Sequence, residues 1–110
     1  MPLYITYASY SGTAVRGMLK NPEDRTGPVK ALLDKVGGKL VAFYMTTGSN
    51  DVVVISEAPD GTDAVAVGMA VAASGAVDKI ETVRAWTADD FVAVTKKAAD
   101  LTGAYTPPGG

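Results

Sequence analysis

The stretch KLVAFYMTTGSNDVVVISEA, residues 39–58, consists of two apolar runs on either side of a polar connection. Both runs are rich in β-branched and aromatic residues, which favour extended strands. The connection TGSN, residues 47–50, supplies residues that tolerate the positive φ angles of a tight turn. We therefore predict an antiparallel hairpin with strands at residues 39–46 and 51–58.

The chain before this hairpin predicts one strand and two short helices. Residues 3–9 are rich in β-branched and aromatic types and predict a strand. Apolar residues at helical spacing predict helices over residues 13–20 and 28–36, and Gly37-Gly38 is expected to end the second one. Because Pro28 disturbs a helix that begins earlier, we expect no helix to start at the acidic segment 21–24.

The chain after the hairpin predicts a helix, a strand and a final helix. The helix extends to about Ser74 from a cap at Thr62 or Asp63, and its lack of charge after Asp63 indicates burial on all sides. Residues 77–86 predict the fourth strand, and Thr87 is expected to cap the last helix. The apolar face of that helix carries Phe91, Val94, Ala98 and Leu101.

The element order is β-α-β-β-α-β with an extra C-terminal helix, which predicts an α+β domain. Its economical form is a four-stranded antiparallel sheet with helices on one face. We assign residues 1–103 to a single domain and residues 104–110 to a flexible tail. In the strand 39–46 both alternating sets of side chains are largely apolar, so the second face of the sheet needs another sheet to cover it. We therefore expect a homodimer or a larger homo-oligomer.

The composition excludes several classes of chemistry. The 110 residues include no cysteine and no histidine, which rules out thiol nucleophiles, histidine bases, zinc–cysteine and iron–sulfur sites, and histidine ligation of haem, zinc or copper. Only oxygen ligands for magnesium or calcium are left, no spaced acidic cluster supplies them, and we expect neither metal nor cofactor. The net charge of −2 argues against nucleic-acid binding.

The hydropathy pattern argues against a membrane protein. The longest apolar stretch, residues 64–73, is far shorter than the roughly 20 residues that span a bilayer. The opening residues 1–5 lack a basic region followed by an apolar block, so we expect no signal peptide and a cytoplasmic location.

Several short motifs, taken together in order, resemble the GYD-domain family, whose members are small bacterial proteins. The matching segments are MPLYI at 1–5, GGKL at 37–40 with Phe43-Tyr44, Gly48 with Asp51, EAPD at 57–60 and RAWT at 84–87. The resemblance implies a ferredoxin-like fold that pairs into a dimeric α/β barrel, and it implies no settled activity. One departure is Asn50, which stands where the family's naming motif has a tyrosine before the aspartate.

Three side chains are candidates for acid–base chemistry: Asp51, Tyr44 and Glu57. Asp51 follows the hairpin turn, where a carboxylate can serve either as a base at a pocket mouth or as a turn residue that accepts backbone N–H groups. The second interpretation is favoured. Glu57 lies on a strand, where a carboxylate aimed into a barrel would have a raised pKa and one at an edge would be solvated; the edge is favoured.

Four side chains are candidates for binding a small molecule: Tyr4, Tyr44, Arg84 and Trp86. Alternation along the strands predicts that Tyr4 and Tyr44 share one sheet face with Arg84 and Trp86. Such a face offers an apolar cavity with a few polar groups, and an arginine beside a tryptophan can hold a carboxylate or a planar ring. The competing interpretation is interface packing, with Arg84 paired to an acid at the rim.

These features support three functional hypotheses. The leading one is a homo-oligomeric protein that binds a small organic ligand, either between helices and sheet or inside a shared barrel. The second is a cofactor-independent enzyme, of isomerase or oxygenase type, acting on a small hydrophobic acid; it follows from fold analogy, which does not determine function. The third is a structural or assembly subunit with a filled barrel and no site.

Overall fold

A computed structural model describes the whole chain, residues 1–110. Its elements are β1 (Leu3–Tyr10), α1 (Gly12–Lys20), α2 (Thr26–Lys35), β2 (Lys39–Met45), β3 (Val52–Glu57), α3 (Gly61–Ala73), β4 (Val77–Ala85), α4 (Ala88–Leu101) and a 3-10 turn (Thr102–Ala104). The strands form one antiparallel sheet in the order β2-β3-β1-β4. This confirms the predicted α+β class and the ferredoxin-like arrangement. No helix has the length and apolar character needed to cross a membrane.

The two faces of the sheet are distinguished by the cross-strand register. Thr6 and Ala8 of β1 lie under the helices, so the alternating residues Ile5 and Tyr7 lie on the opposite face, which we call the open face. Ile5 is paired with Ile55 of β3 and with Val83 of β4. No element of the chain forms a layer over this apolar strip, as expected for a surface that pairs with a second sheet.

A bulge in β2 reverses the side-chain order that alternation predicted. Leu40 pairs with Ser56, but Ala42 pairs with Ile55, so Val41 is an extra residue in the strand. Beyond a one-residue bulge every side chain moves to the other face. Tyr44 therefore lies on the open face, and Phe43 lies under the helices. The prediction that Tyr44 shares a face with Tyr4 is wrong for this reason.

The helix starts also differ from the predicted ones by one to two residues. Helix α2 begins at Thr26 instead of Pro28, because a proline in the first turn loses only an N–H that has no partner in the helix. Asp24 precedes it, and hydrogen bonds from the hydroxyl and backbone N–H of Thr26 lower the pKa of its carboxyl group. Helix α3 is capped by Asp60, whose Oδ1 accepts the N–H of Asp63 at 3.2 Å.

The single chain leaves an unusually large apolar surface exposed. Only 8 of its 110 residues are buried, and its surface of 7455 Å² exceeds the roughly 5,700 Å² expected for a compact monomer of this mass. The prediction that α3 is buried on all sides is wrong for one chain: Ala64 is its sole buried residue, while Val65 and Met69 are 59% and 68% exposed. The excess of roughly 1,700 Å² is surface that association can hide.

Gly38 closes the connection between α2 and β2 in a space too small for a side chain. A Cβ atom there would lie 2.6 Å from the backbone oxygen of Glu57 and 3.3 Å from that of Leu33. We expect Gly38→Ala to lower the free energy of unfolding by about 2 kcal/mol, because backbone must move to admit the methyl group. Urea unfolding followed by circular dichroism, at one protein concentration, measures the change.

Gly17→Ala is the matched control, since Gly17 lies within helix α1 and a Cβ atom there would have open space for 4 Å around it. Alanine there should raise the free energy of unfolding by up to about 1 kcal/mol through helix propensity. Equal stability of the Gly38→Ala variant and the parent chain would contradict the close backbone approach.

Candidate functional site

An apolar cleft lies between helices α2 and α3 and the covered face of the sheet. It encloses about 100 Å³, and 14 of its 18 lining residues are hydrophobic. Thr6 and Val54 form part of its floor, Leu32 lies on the α2 side, and Val67 and Val71 lie on the α3 side. Small-molecule sites are concave and mainly apolar, so this cleft is the candidate ligand site.

The cleft exists because the two helices pack over opposite edges of the sheet. Helix α2 packs on β2 and helix α3 packs on β4, which are the two edge strands. The central strands β1 and β3 are therefore left under a gap. Gly68 adds to this gap because it has no side chain. The nearest atoms to a Cβ placed there would be Thr82 Oγ1 at 3.9 Å and Ile80 Cδ1 at 4.0 Å.

Two threonine hydroxyls provide the polar groups on the cleft floor. Thr6 Oγ1 and Thr82 Oγ1, on adjacent strands, are hydrogen-bonded at 2.9 Å. Each hydroxyl has one hydrogen to donate and two lone pairs, so after this bond the pair keeps one hydrogen to donate and three lone pairs that can accept. Ser56, Gly68 and these two threonines are the lining residues outside the hydrophobic set.

A cluster of aromatic residues around Arg84 lies next to one end of the cleft, outside its lining. Tyr4, directly opposite Arg84 in the sheet, is buried with Ala58 and Ala64, which line the cleft. The Arg84 guanidinium lies 4.4 Å from the ring centroid of Trp86 and 5.9 Å from that of Tyr4, both within cation–π range.

Arg84 forms no ion pair within the single chain. Its Nη1 donates to the backbone oxygens of Leu3, at 3.2 Å, and of Ala85. The two ion pairs of the chain are Arg25–Glu23 and Lys30–Asp34. An acidic partner for Arg84 at the rim of an interface between chains stays a prediction. Three of the four predicted binding residues, Tyr4, Arg84 and Trp86, lie together.

The three candidates for acid–base chemistry do not converge on the cleft. Tyr44 is 59% exposed on the open face. Glu57, which pairs with Leu3, lies on that same face. It is four residues along β3 from Val53, the partner of Tyr44, so about 13 Å of strand separates Glu57 from Val53. Asp51 is occupied by the backbone: its Oδ2 accepts the Tyr10 N–H at 2.8 Å. We therefore assign Asp51 to the structure of the turn.

Sequence reasoning missed Tyr10, the titratable residue in the cleft lining. Burial raises the pKa of its hydroxyl above the ordinary value; Arg25 opposes the shift and the Asp51 carboxylate adds to it. Tyr10 also borders a second, more polar depression of about 300 Å³ beside α1. There Arg25 is neutralised by Glu23 at 2.7 Å. The apolar strand pattern gave no signal for Tyr10, because its burial depends on elements distant in sequence.

Two further observations bear on ligands. No group of three or more acidic side chains is placed to hold a metal ion. The Oδ1 atom of Asn50, the residue that replaces the tyrosine of the family motif, is buried without a hydrogen-bond partner. The replacement therefore leaves an amide in the hairpin turn whose oxygen gains no compensating contact within the chain.

Comparison with known proteins identifies the family. The model of the GYD domain matches residues 4–95, and the chain belongs to the GYD-domain family. Among solved structures, the crystal structure of TTHA0845 from Thermus thermophilus is similar, with a TM-score of 0.52 and 17% sequence identity. The match covers 80% of this chain and 96% of that one, and it supports the fold alone. No curated protein matches the sequence.

The role of Asp51 can be tested with two substitutions. Asp51→Ala leaves the Tyr10 N–H without its acceptor and should lower the free energy of unfolding by about 1–2 kcal/mol. Asp51→Asn keeps a side-chain oxygen that can accept this hydrogen bond, so it should lose less. Urea unfolding at pH 7 compares the two variants, and equal losses for alanine and asparagine would contradict a structural role for the acceptor oxygen.

Proposed function

We propose that this protein is a homo-oligomer that binds a small apolar organic ligand in the cleft between α2, α3 and the sheet. The cleft itself carries the proposal. The cleft has room for about 100 Å³, and 14 of its 18 lining residues are hydrophobic. An apolar molecule bound there would leave water and pack against this lining. An engineered apolar cavity of about 150 Å³ binds benzene, so a ring or a short alkyl group is the fitting size.

The polar groups restrict the ligand further. The hydrogen-bonded pair Thr6 and Thr82 keeps one hydrogen to donate and free lone pairs to accept on the cleft floor. Arg84 supplies a cation without an acidic partner at the Tyr4 end of the cleft. A small hydrophobic molecule with a carboxylate or another polar end satisfies both features.

A cofactor-independent enzyme on a small hydrophobic acid is the second candidate. Catalysis by proton transfer needs a titratable group within hydrogen-bond reach of the reacting atom. Tyr10 is the titratable residue of the cleft lining. Its raised pKa keeps the hydroxyl protonated at neutral pH, so it can serve as a hydrogen-bond donor or an acid. Asp51, Tyr44 and Glu57 do not favour catalysis in the cleft. The binding function is therefore preferred.

Self-association is the second part of the proposal. The open face carries Ile5, Ile55 and Val83 as one cross-strand row, with Tyr44 nearby on β2. A second copy of this sheet covers the row with matching side chains and forms a homodimer, or the core of a larger homo-oligomer. The excess exposed surface supports this, because a stable interface hides about 800 Å² on each partner.

Filling the cleft should abolish ligand binding. Gly68→Leu places a side chain in the gap above Thr82 and should weaken the binding of fluorobenzene at least about tenfold, equivalent to about 1.4 kcal/mol. Fluorine NMR of the probe, titrated with protein, measures the affinity. Gly17→Leu is the matched control, because it makes the same change in a helix with open space around the glycine. Unchanged binding by the Gly68→Leu variant would overturn the assignment of the cleft.

A charge on the open face should break the homo-oligomer. Val83 is 39% exposed in the single chain, and Val83→Asp buries an unpaired carboxylate in a sheet-to-sheet interface. We expect the dissociation constant to rise by roughly a hundredfold or more. Native mass spectrometry and sedimentation measure the assembly.

Val15→Asp is the control for this experiment, because Val15 is 40% exposed but belongs to helix α1 and not to the sheet. It should leave the assembly unchanged. A parent chain that sediments as a monomer, or a Val83→Asp variant that keeps the parent's assembly, would contradict pairing through this face.

A further inference from the structure

Helix α4 stands apart from the rest of the chain. None of its 14 residues is buried, and the one element with which it makes extensive contact is the 3-10 turn that follows it. The radius of gyration, 17.7 Å, is well above the roughly 13 Å of a compact domain of this length. Yet α4 is amphipathic, with one uncovered face formed by Phe91, Val94, Ala98 and Leu101.

The start of α4 is defined by a side-chain cap and an aromatic contact. Thr87 is the N-cap, and its Oγ1 accepts the Asp90 N–H at 3.0 Å. Trp86, just before the cap, packs edge-on against Phe91 at 5.7 Å between ring centroids. A contact between these two positions is a hydrophobic staple, which fixes the angle at which the chain enters a helix.

The staple is braced by the strand that precedes it. The indole of Trp86 lies against the guanidinium of Arg84, and Arg84 is fixed to the backbone of Leu3. Folding α4 back over its own helices by a turn at the end of β4 would break the stack between Arg84 and Trp86. In the single chain the apolar face of α4 has no cover.

Helix α3 has an exposed face that matches α4. Val65 and Met69 project from it, flanked by exposed alanines and by no charged residue after Asp63. The two helices are about 20 Å and 21 Å long, from their 13 and 14 residues. Small residues on α3 permit close approach of a second helix, and the larger side chains of α4 fill the grooves between them.

The exposed area also requires more than one interface. A standard interface hides about 800 Å² per partner, whereas the chain exposes roughly 1,700 Å² more than a compact monomer. Pairing through the open face accounts for about one such interface. The apolar faces of α3 and α4 are the surfaces that supply the second.

We infer that α4 is an exchanged arm, which packs its Phe91–Leu101 face on the outer face of α3 of a second copy of this chain. The staple directs the arm outward, and the partner's Val65 and Met69 receive it. This contact is separate from the ligand cleft and from the open face. Its test can therefore fail while ligand binding and sheet pairing both hold.

The natural absence of cysteine makes disulfide trapping a direct test. Val94→Cys and Met69→Cys chains, carrying different tags, are coexpressed and oxidised with copper phenanthroline. Docked helices bring these positions within the Cα separation of a disulfide, about 4.4–6.8 Å. We expect a mixed dimer between the two tagged chains on a non-reducing gel, formed at least about tenfold faster than in the control.

The control pairs Met69→Cys with Lys96→Cys, which lies on the opposite side of α4 from Val94, about 200° further around the helix. Circular dichroism confirms that all variants keep their helices. Comparable cross-linking in the control, or no mixed dimer at Val94, overturns the exchanged arm. A chain carrying both Val94→Cys and Met69→Cys that closes an internal disulfide as a monomer also overturns it, because the arm would then pack on its own domain.

Discussion

The sheet has apolar side chains on both faces. Helices α2 and α3 cover only one of these faces, and there they lie over the edge strands. The rest of the molecule depends on this mismatch. Because α2 lies over β2 and α3 over β4, the central strands form the floor of a cleft. Because no helix lies over the other face, Ile5, Ile55 and Val83 form an apolar row without a cover. Ligand cleft and association surface are thus two consequences of one arrangement.

Small residues preserve the cleft. Gly68 within α3 and the alanines at its margin leave room that larger side chains would occupy, and the helix gains no packing in return. Natural cores are filled closely, so a space of this kind supports the proposal of a bound ligand. Arg84 adds a charge at one end while also stacking on Trp86, so it links the cleft to the start of α4.

The proposed association would give the exposed helices a role. One or two interfaces would add hydrophobic stabilisation to a chain that by itself buries 8 residues. The stability of the proposed homo-oligomer would then depend on protein concentration. A bound ligand and a partner chain would both raise the stability of the folded form, since each binds only that form.

The sequence by itself determined the element order, the four strands, the glycine stop at Gly37 and the cap at Thr87, because caps, turns and periodicity are local signals. It also indicated a sheet apolar on both faces. Only the tertiary structure decided which side chains share a face. The bulge at Val41 moved Tyr44 away from Tyr4, and helix positions over the edge strands opened the cleft. Bulges and helix placement arise from pairing between distant segments, which leaves no local pattern in the chain.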